Sequence, residues 1–184
     1  LNVLTEYLSE GKNAPLYKSV VEKDKLAANV SMFNYSSELA GQLILTIRAF
    51  EDVHLDSVVS SVDAAFANFE KEGISEKDLS RIKAVQETNF YNGLSSVLGK
   101  GFQLAQYNIF ADDPGFVSKD IENILAVSQE DIMNVYQKYF KDKDFIATSF
   151  VPKGRLSQVL TGSVVADVVE EPIFKRKSRR ASRI

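Results

Sequence analysis

Cysteine is absent from the 184 residues, and histidine occurs once, at position 54. The chain therefore has no disulfide frame, no thiolate nucleophile, no Cys-ligated metal and no multi-His zinc site of its own. It leaves the redox compartment open, because a Cys-free chain is at home in reducing and oxidising surroundings alike. No apolar run approaches the roughly 20 residues that a membrane-spanning helix needs. The opening Leu1-Asn2-Val3-Leu4-Thr5-Glu6 has neither an initiator Met nor the basic region of a signal peptide, which gives the expectation of an internal piece of a longer protein. What is present is 45% hydrophobic against 26% charged residues, the balance of one globular domain with a sizeable core.

Charge is unevenly distributed. Lys175, Arg176, Lys177, Arg179, Arg180 and Arg183 crowd the last stretch without an acid, so an overall net charge of −3 leaves −9 for residues 1–171. A basic run can bind nucleic acid or anionic lipid, but no aromatic follows Phe174, and the stretch holds several Ser and Arg residues typical of a solvated linker. It reads as a connector, with no nucleic-acid partner and no membrane insertion. The expected organisation is an α+β domain over 1–155 and a C-terminal extension with a basic interdomain linker over 156–184.

Hydrophobic periodicity sets the elements. Leu1 to Leu8 is helical in pattern and stops at Gly11, and Pro15 opens a second helix through Val20 and Val21. From Asn29 the period becomes two. Val30, Met32 and Asn34, then Leu43, Leu45 and Ile47, alternate with their neighbours across a turn at Ser36 to Gly41, which predicts an antiparallel hairpin. Leu55, Val58, Val59, Val62, Phe66 and Phe69 lie on one helical face, and Gly73 ends it. Further helical stripes run through Leu79, Ile82 and Val85, through Leu94, Leu98, Phe102, Ala105 and Ile109, near Ile121 to Leu125, and through Ile132, Val135, Tyr136, Tyr139 and Phe140. Phe145 to Val151 alternates again and predicts a third strand. So few strands among so many helices predict an α+β layer: an antiparallel sheet covered on one face by helices, its first strand missing upstream of Leu1.

Few residues invite chemistry. His54 stands among Glu51, Asp52 and Asp56, where a neutral imidazole could act as base or ligand, but no second and third ligand appear at a defined spacing, so it reads as a loop residue. Asp112-Asp113-Pro114-Gly115 is turn chemistry without the bidentate Glu of a calcium loop. Gly93, Gly99 and Gly101 fall within a helical pattern, where Gly99-Lys100-Gly101 marks a kink or break rather than a phosphate loop. Glu70, Glu72, Glu76 and Asp78 read as a solvated face, and Tyr91, Tyr107, Tyr136 and Tyr139 as core-edge residues. No catalytic, cofactor-binding or metal-binding residue is expected.

The chain as a whole says more. Leu4, Leu8, Gly11, Leu16 and Tyr17, then Glu22, Leu26 and Ala27, are spaced as in the L-x-x-x-L-x-x-G-x-x-S-x-L-Y and E-x-x-x-L-A-Y stretches of the pitrilysin/insulinase-type zinc metallopeptidases, which this sequence resembles. The likeness continues through Gly73 to Lys83, Leu104-Ala105, Asp113-Pro114 and Ile124 to Ile132, and ends at Phe150-Val151-Pro152-Lys153-Gly154. It covers about residues 1–155 in order. The resemblance implies a clamshell of repeated α+β domains, one of which carries the inverted H-x-x-E-H zinc motif. That motif is absent here. The Tyr and Arg that a partner domain contributes to the active site fall at Ala28 and Val21 in this sequence. The resemblance therefore implies a non-catalytic domain with no zinc of its own, the zinc sitting in another domain of a hydrolase that cleaves peptides. Its partners would be the other domains and a peptide substrate, and the family favours the bacterial periplasm. The alternative is a structural, non-enzymatic subunit like those of processing-peptidase-type cores, which share the fold.

Overall fold

The structure is a computed structural model and describes residues 1–164. Its elements are α1 (Asn2–Ser9), a π-helix (Tyr17–Lys23), β1 (Ala27–Ser36), β2 (Gly41–Ala49), α2 (Leu55–Glu72), α3 (Glu76–Gly93), α4 (Val97–Ala111), α5 (Val117–Ala126) and α6 (Gln129–Tyr139). Two short 3-10 turns, Pro114–Phe116 and Leu156–Gln158, complete them. The class is α+β, as expected. The helices begin where side chains satisfy their first N–H groups: Ser75 and Ser96 accept from the N–H three residues on, and Ser128 with Asp131 forms a reciprocal capping box. Gly73 closes α2 at φ +67°, a conformation that a side chain disfavours.

β1 and β2 pair antiparallel, with Val30 opposite Ile47, Met32 opposite Leu45 and Asn34 opposite Leu43. The face carrying Val30, Met32, Leu43, Leu45 and Ile47 packs on the core, while Ser31, Phe33, Tyr35, Thr46 and Arg48 face outward. The alternation thus predicts the faces correctly, because the side-chain period of a strand is two. The core is built from Leu4 and Leu8 of α1, Leu16, Val20 of the π-helix, Val62, Ala65 and Phe69 of α2, Ile74, Leu79 and Ile82 of α3, and Ile132 and Tyr136 of α6. Two buried hydroxyls join its parts. Ser9 Oγ accepts from the Met32 N–H at 3.1 Å and shares its own hydrogen between the carbonyls of Thr5 and Met32, so α1 is bonded to the backbone of β1. Ser19 Oγ donates to the Ser61 carbonyl at 2.8 Å and lies 3.0 Å from Ser61 Oγ, which ties the π-helix to α2.

Three expectations are corrected. The third strand, Phe145 to Val151, does not form: among the described residues its backbone has no ladder partner, and a strand exists only by pairing. The stripe Leu98, Phe102 and Ile109 is helical but unburied, at 71%, 65% and 69% exposure, because no described element lies over that side of α4. The helical break falls at Leu94 to Ser96, ahead of Gly99-Lys100-Gly101, which lies inside α4. Gly99 is still required there, since a Cβ would meet the Gly93 carbonyl oxygen at 2.1 Å. The basic stretch after Pro172 lies outside the described residues.

Leu45→Asp should unfold the chain, since a carboxylate on the core face costs several kcal/mol of a total of roughly 5–15. Thr46→Asp, on the outer face, should shift stability by about 0.5 kcal/mol or less. Thermal melts followed by circular dichroism check both. Ser19→Ala leaves the buried Ser61 hydroxyl with one partner fewer and should cost about 1 kcal/mol in denaturant titration.

Candidate functional site

His54 is the N-cap of α2. Its Nδ1 accepts from the Asp56 N–H at 3.2 Å, so the lone pair that a metal would need is already engaged. The neighbouring acids are engaged too. Asp52 Oδ1 accepts from Arg155 Nη1 at 2.8 Å, and Asp56 accepts from both the N–H and the hydroxyl of Thr161. The Glu51 carbonyl accepts from Arg155 and Gln158 at 2.8 Å each. The Thr161 hydroxyl and N–H hold the Asp56 carboxyl below the usual carboxylate range. The cluster is a latch: it fastens the segment Arg155 to Thr161 onto the start of α2. It does not fit zinc. Among the described residues no three His, Cys, Asp or Glu side chains gather as a metal site.

Of the four carboxylates read as a solvated face, Glu70 is bound. Tyr136 Oη donates to Glu70 Oε1 and Lys141 Nζ to Oε2, both at 2.9 Å. The Lys141 bond first and the Tyr136 bond second lower the Glu70 carboxyl, while burial and the Glu70 bond push the Tyr136 phenol upward. Tyr136 is a core residue, not a core-edge one: it is 2% exposed and lies edge-on to Phe69, with ring centroids 5.0 Å apart. A sequence signal for this exists, since Tyr136 and Phe140 continue the apolar stripe of α6, but the acid that accepts from it lies 66 residues away. Tyr107 donates to Asp120 at 2.7 Å and fixes α4 to α5. Asp113 accepts from the Gly115 N–H at 2.8 Å, which is the turn expected of that segment. Tyr91 and Tyr139 are exposed.

Two surfaces remain that could meet a ligand. A cleft of about 690 Å³ lies on the helical side, lined by residues that include Tyr7, Lys18, Glu22, Asn68, Glu72 and Asp78. Its Tyr7 phenol donates to the Gly73 carbonyl at 3.1 Å and is raised by burial and by Asp78 and Glu72. The second surface is the outer face of the hairpin, where Phe33 and Tyr35 are 46% and 64% exposed beside Thr46 and Arg48. Val21 is half-buried and Ala28 exposed, and neither side chain can donate a hydrogen bond or carry charge.

The polar clusters of this α+β domain are latches between segments distant in sequence. Residues 1–86, just under half of the chain, match the family model described as the peptidase M16 inactive domain. The chain is 23% identical over 142 residues to the zinc protease PqqE of Helicobacter pylori, a match that takes in 77% of this chain and 32% of that protein. The chain thus spans about a third of its curated relative. Its fold is similar to a crystal structure of a protease from Helicobacter pylori, with a TM-score of 0.64 at 23% identity over 76% of this chain and 33% of that one. It is similar as well to a zinc protease structure from Bordetella pertussis Tohama I, with a TM-score of 0.63 at 16% identity over 72% and 71% of the two chains.

Two predictions follow from these latches. His54→Ala should cost about 1 kcal/mol through the lost cap, measured by denaturant titration. The carboxyls of Asp56, Glu70 and Asp131 are all held below their ordinary values. The unfolded chain then binds more protons than the folded one in acid, so stability is full above the ordinary carboxylate range and falls as pH drops through the folded values. The melting temperature should decline below about pH 4.5, and Glu70→Gln should make that decline shallower.

Proposed function

We propose that this chain is a chamber-wall domain of a zinc-dependent metalloendopeptidase, positioning peptide substrate while another domain binds the zinc and cleaves. The observation that carries the reading is the match of residues 1–86 to the inactive-domain family model. The geometry agrees with the role. The outer face of β1 and β2 offers Phe33, Tyr35, Thr46 and Arg48 on a paired hairpin, a mixture of aromatic contact, hydroxyl and cation that suits a peptide without selecting one side chain. Zinc chemistry belongs to a domain bearing H-x-x-E-H, and no residue of this chain substitutes for it. The basic stretch from Lys175 to Arg183 serves in this reading as the connector between halves of the protein.

The chain alone should retain less than one equivalent of zinc after dialysis and should not turn over a fluorogenic peptide. Stoichiometric zinc, or turnover that His54→Ala abolishes, would reverse the proposal. The encoding gene supplies the complementary test, because an H-x-x-E-H motif outside residues 1–184 marks a protease and its absence marks a structural subunit. In such a protease Phe33→Ser with Tyr35→Ser should raise KM several-fold and leave kcat near its original value, the signature of lost uniform binding.

A further inference from the structure

Charge is scarce on the hairpin. In a chain with 26% charged residues, β1 and β2 together hold a single charged residue, Arg48. It stands on the exposed outer face, and no ion pair among the described residues involves it. A guanidinium keeps its charge at all ordinary pH values, and its planar fork of N–H donors matches the two oxygens of a carboxylate. The backbone opposite is unusual. Ala27 pairs with Ala49 and Val30 with Ile47, so Ala28 and Asn29 both stand against Arg48. Two residues against one is a β-bulge, which bends the strand and re-aims the side chains beside it. Both are exposed, and Ala28 contributes only a methyl group there, too little to cover a guanidinium.

Away from Arg48 the same face turns apolar. Ile44 lies four residues along β2, about 13 Å at the usual strand rise, and stands directly opposite Phe33, with Tyr35 next along β1 opposite Gln42. On the other side of Arg48 the alternation runs on to the exposed Phe50. The cation therefore sits between apolar groups rather than at an end of the face, which suits an acidic side chain within a longer peptide and not a chain terminus. A nucleic acid or an anionic bilayer needs several cations together, and the strands have one. An extended peptide brings every second side chain to one face, so an acid that meets Arg48 sets the residue four positions away on Phe33 and Ile44. We infer that Arg48 is a specificity-determining residue of this face, selecting extended peptide segments in which an Asp or Glu stands four positions from a large apolar residue. The inference rests on the reading above that the outer face of the hairpin meets peptide substrate, and it adds the class of peptide preferred.

The test uses the 184-residue chain and the capped peptide acetyl-Thr-Glu-Thr-Ser-Thr-Leu-Thr-amide, with two companions that carry Gln or Lys in place of its Glu. Capped ends leave the Glu side chain as the sole carboxylate. Amide chemical shifts followed by nuclear magnetic resonance report both place and affinity. The Glu peptide should move the signals of β1 and β2 and bind about fivefold more tightly than the Gln peptide, with the Lys peptide weakest. At about 0.5 M salt the preference should shrink to about twofold or less. Arg48→Gln should abolish the preference and leave the affinity for the Gln peptide unchanged, Arg48→Glu should invert it in favour of the Lys peptide, and Arg48→Lys should retain it in part. All three variants should keep the original melting temperature within about 2 °C, since the side chain lies outside the core. Equal binding of the Glu and Gln peptides at the hairpin overturns the inference and leaves the proposed function standing. A Glu preference that survives Arg48→Gln does the same. If none of the three peptides moves the signals of the hairpin, the face meets no peptide and both readings fall.

Discussion

A two-stranded hairpin is at best marginal in water, so the fold depends on what holds β1 and β2 in place. The hold has an apolar part and a polar part. Val30 and Met32 press into Leu4, Leu8, Leu16 and Val20, and Ser9 Oγ bonds to both the N–H and the carbonyl of Met32, standing where a further strand's backbone would be. The hydroxyl satisfies groups that would be costly to bury unpaired, and it fixes α1 to one point along β1. With α1 placed, the π-helix is placed as well, and Ser19 carries the same constraint on to α2 through Ser61.

The polar residues that might have made an active site instead join distant parts of the chain. His54, Asp52 and Asp56 receive the returning segment from Arg155 to Thr161, about a hundred residues later in sequence. Glu70 gathers Tyr136 and Lys141 from the end of α6. Asp56 and Glu70 each accept two hydrogen bonds, which hold their carboxyls below the usual carboxylate range. A general acid needs the opposite, a carboxyl raised towards neutrality by burial without partners. The hydrogen bonds and ion pairs of these acids therefore serve closure of the fold.

The unequal coverage of the molecule follows from the same layout. Residues of α1, the π-helix, α2, the first half of α3 and α6 share one core, whereas α4 and α5 contribute no fully buried side chain. Tyr107 and Asp120 hold α4 and α5 to each other, and α5 in turn lies on α3. The exposed apolar residues of α4 and of Phe145 to Val151 are thus features of regions attached to the core rather than parts of it.

Local chemistry was legible in the chain itself. Ser75 and Ser128 announce helix starts, Gly73 a helix end, and the alternation of Leu43, Leu45 and Ile47 the buried face of a strand, because caps and periodicities act within a few residues. What the tertiary structure alone decided is which of these elements find partners. The pattern of Phe145 to Val151 is as strand-like as that of β2, yet among the described residues only β2 has a ladder partner, and α4 carries an apolar stripe as α2 does, yet among the described residues only that of α2 is covered. Likewise Glu70 and Glu72 are two residues apart and alike in sequence, but only Glu70 lies where Tyr136 and Lys141 can reach it. Periodicity states what a segment could bury; whether anything is there to bury it is settled by contacts between residues far apart in the chain.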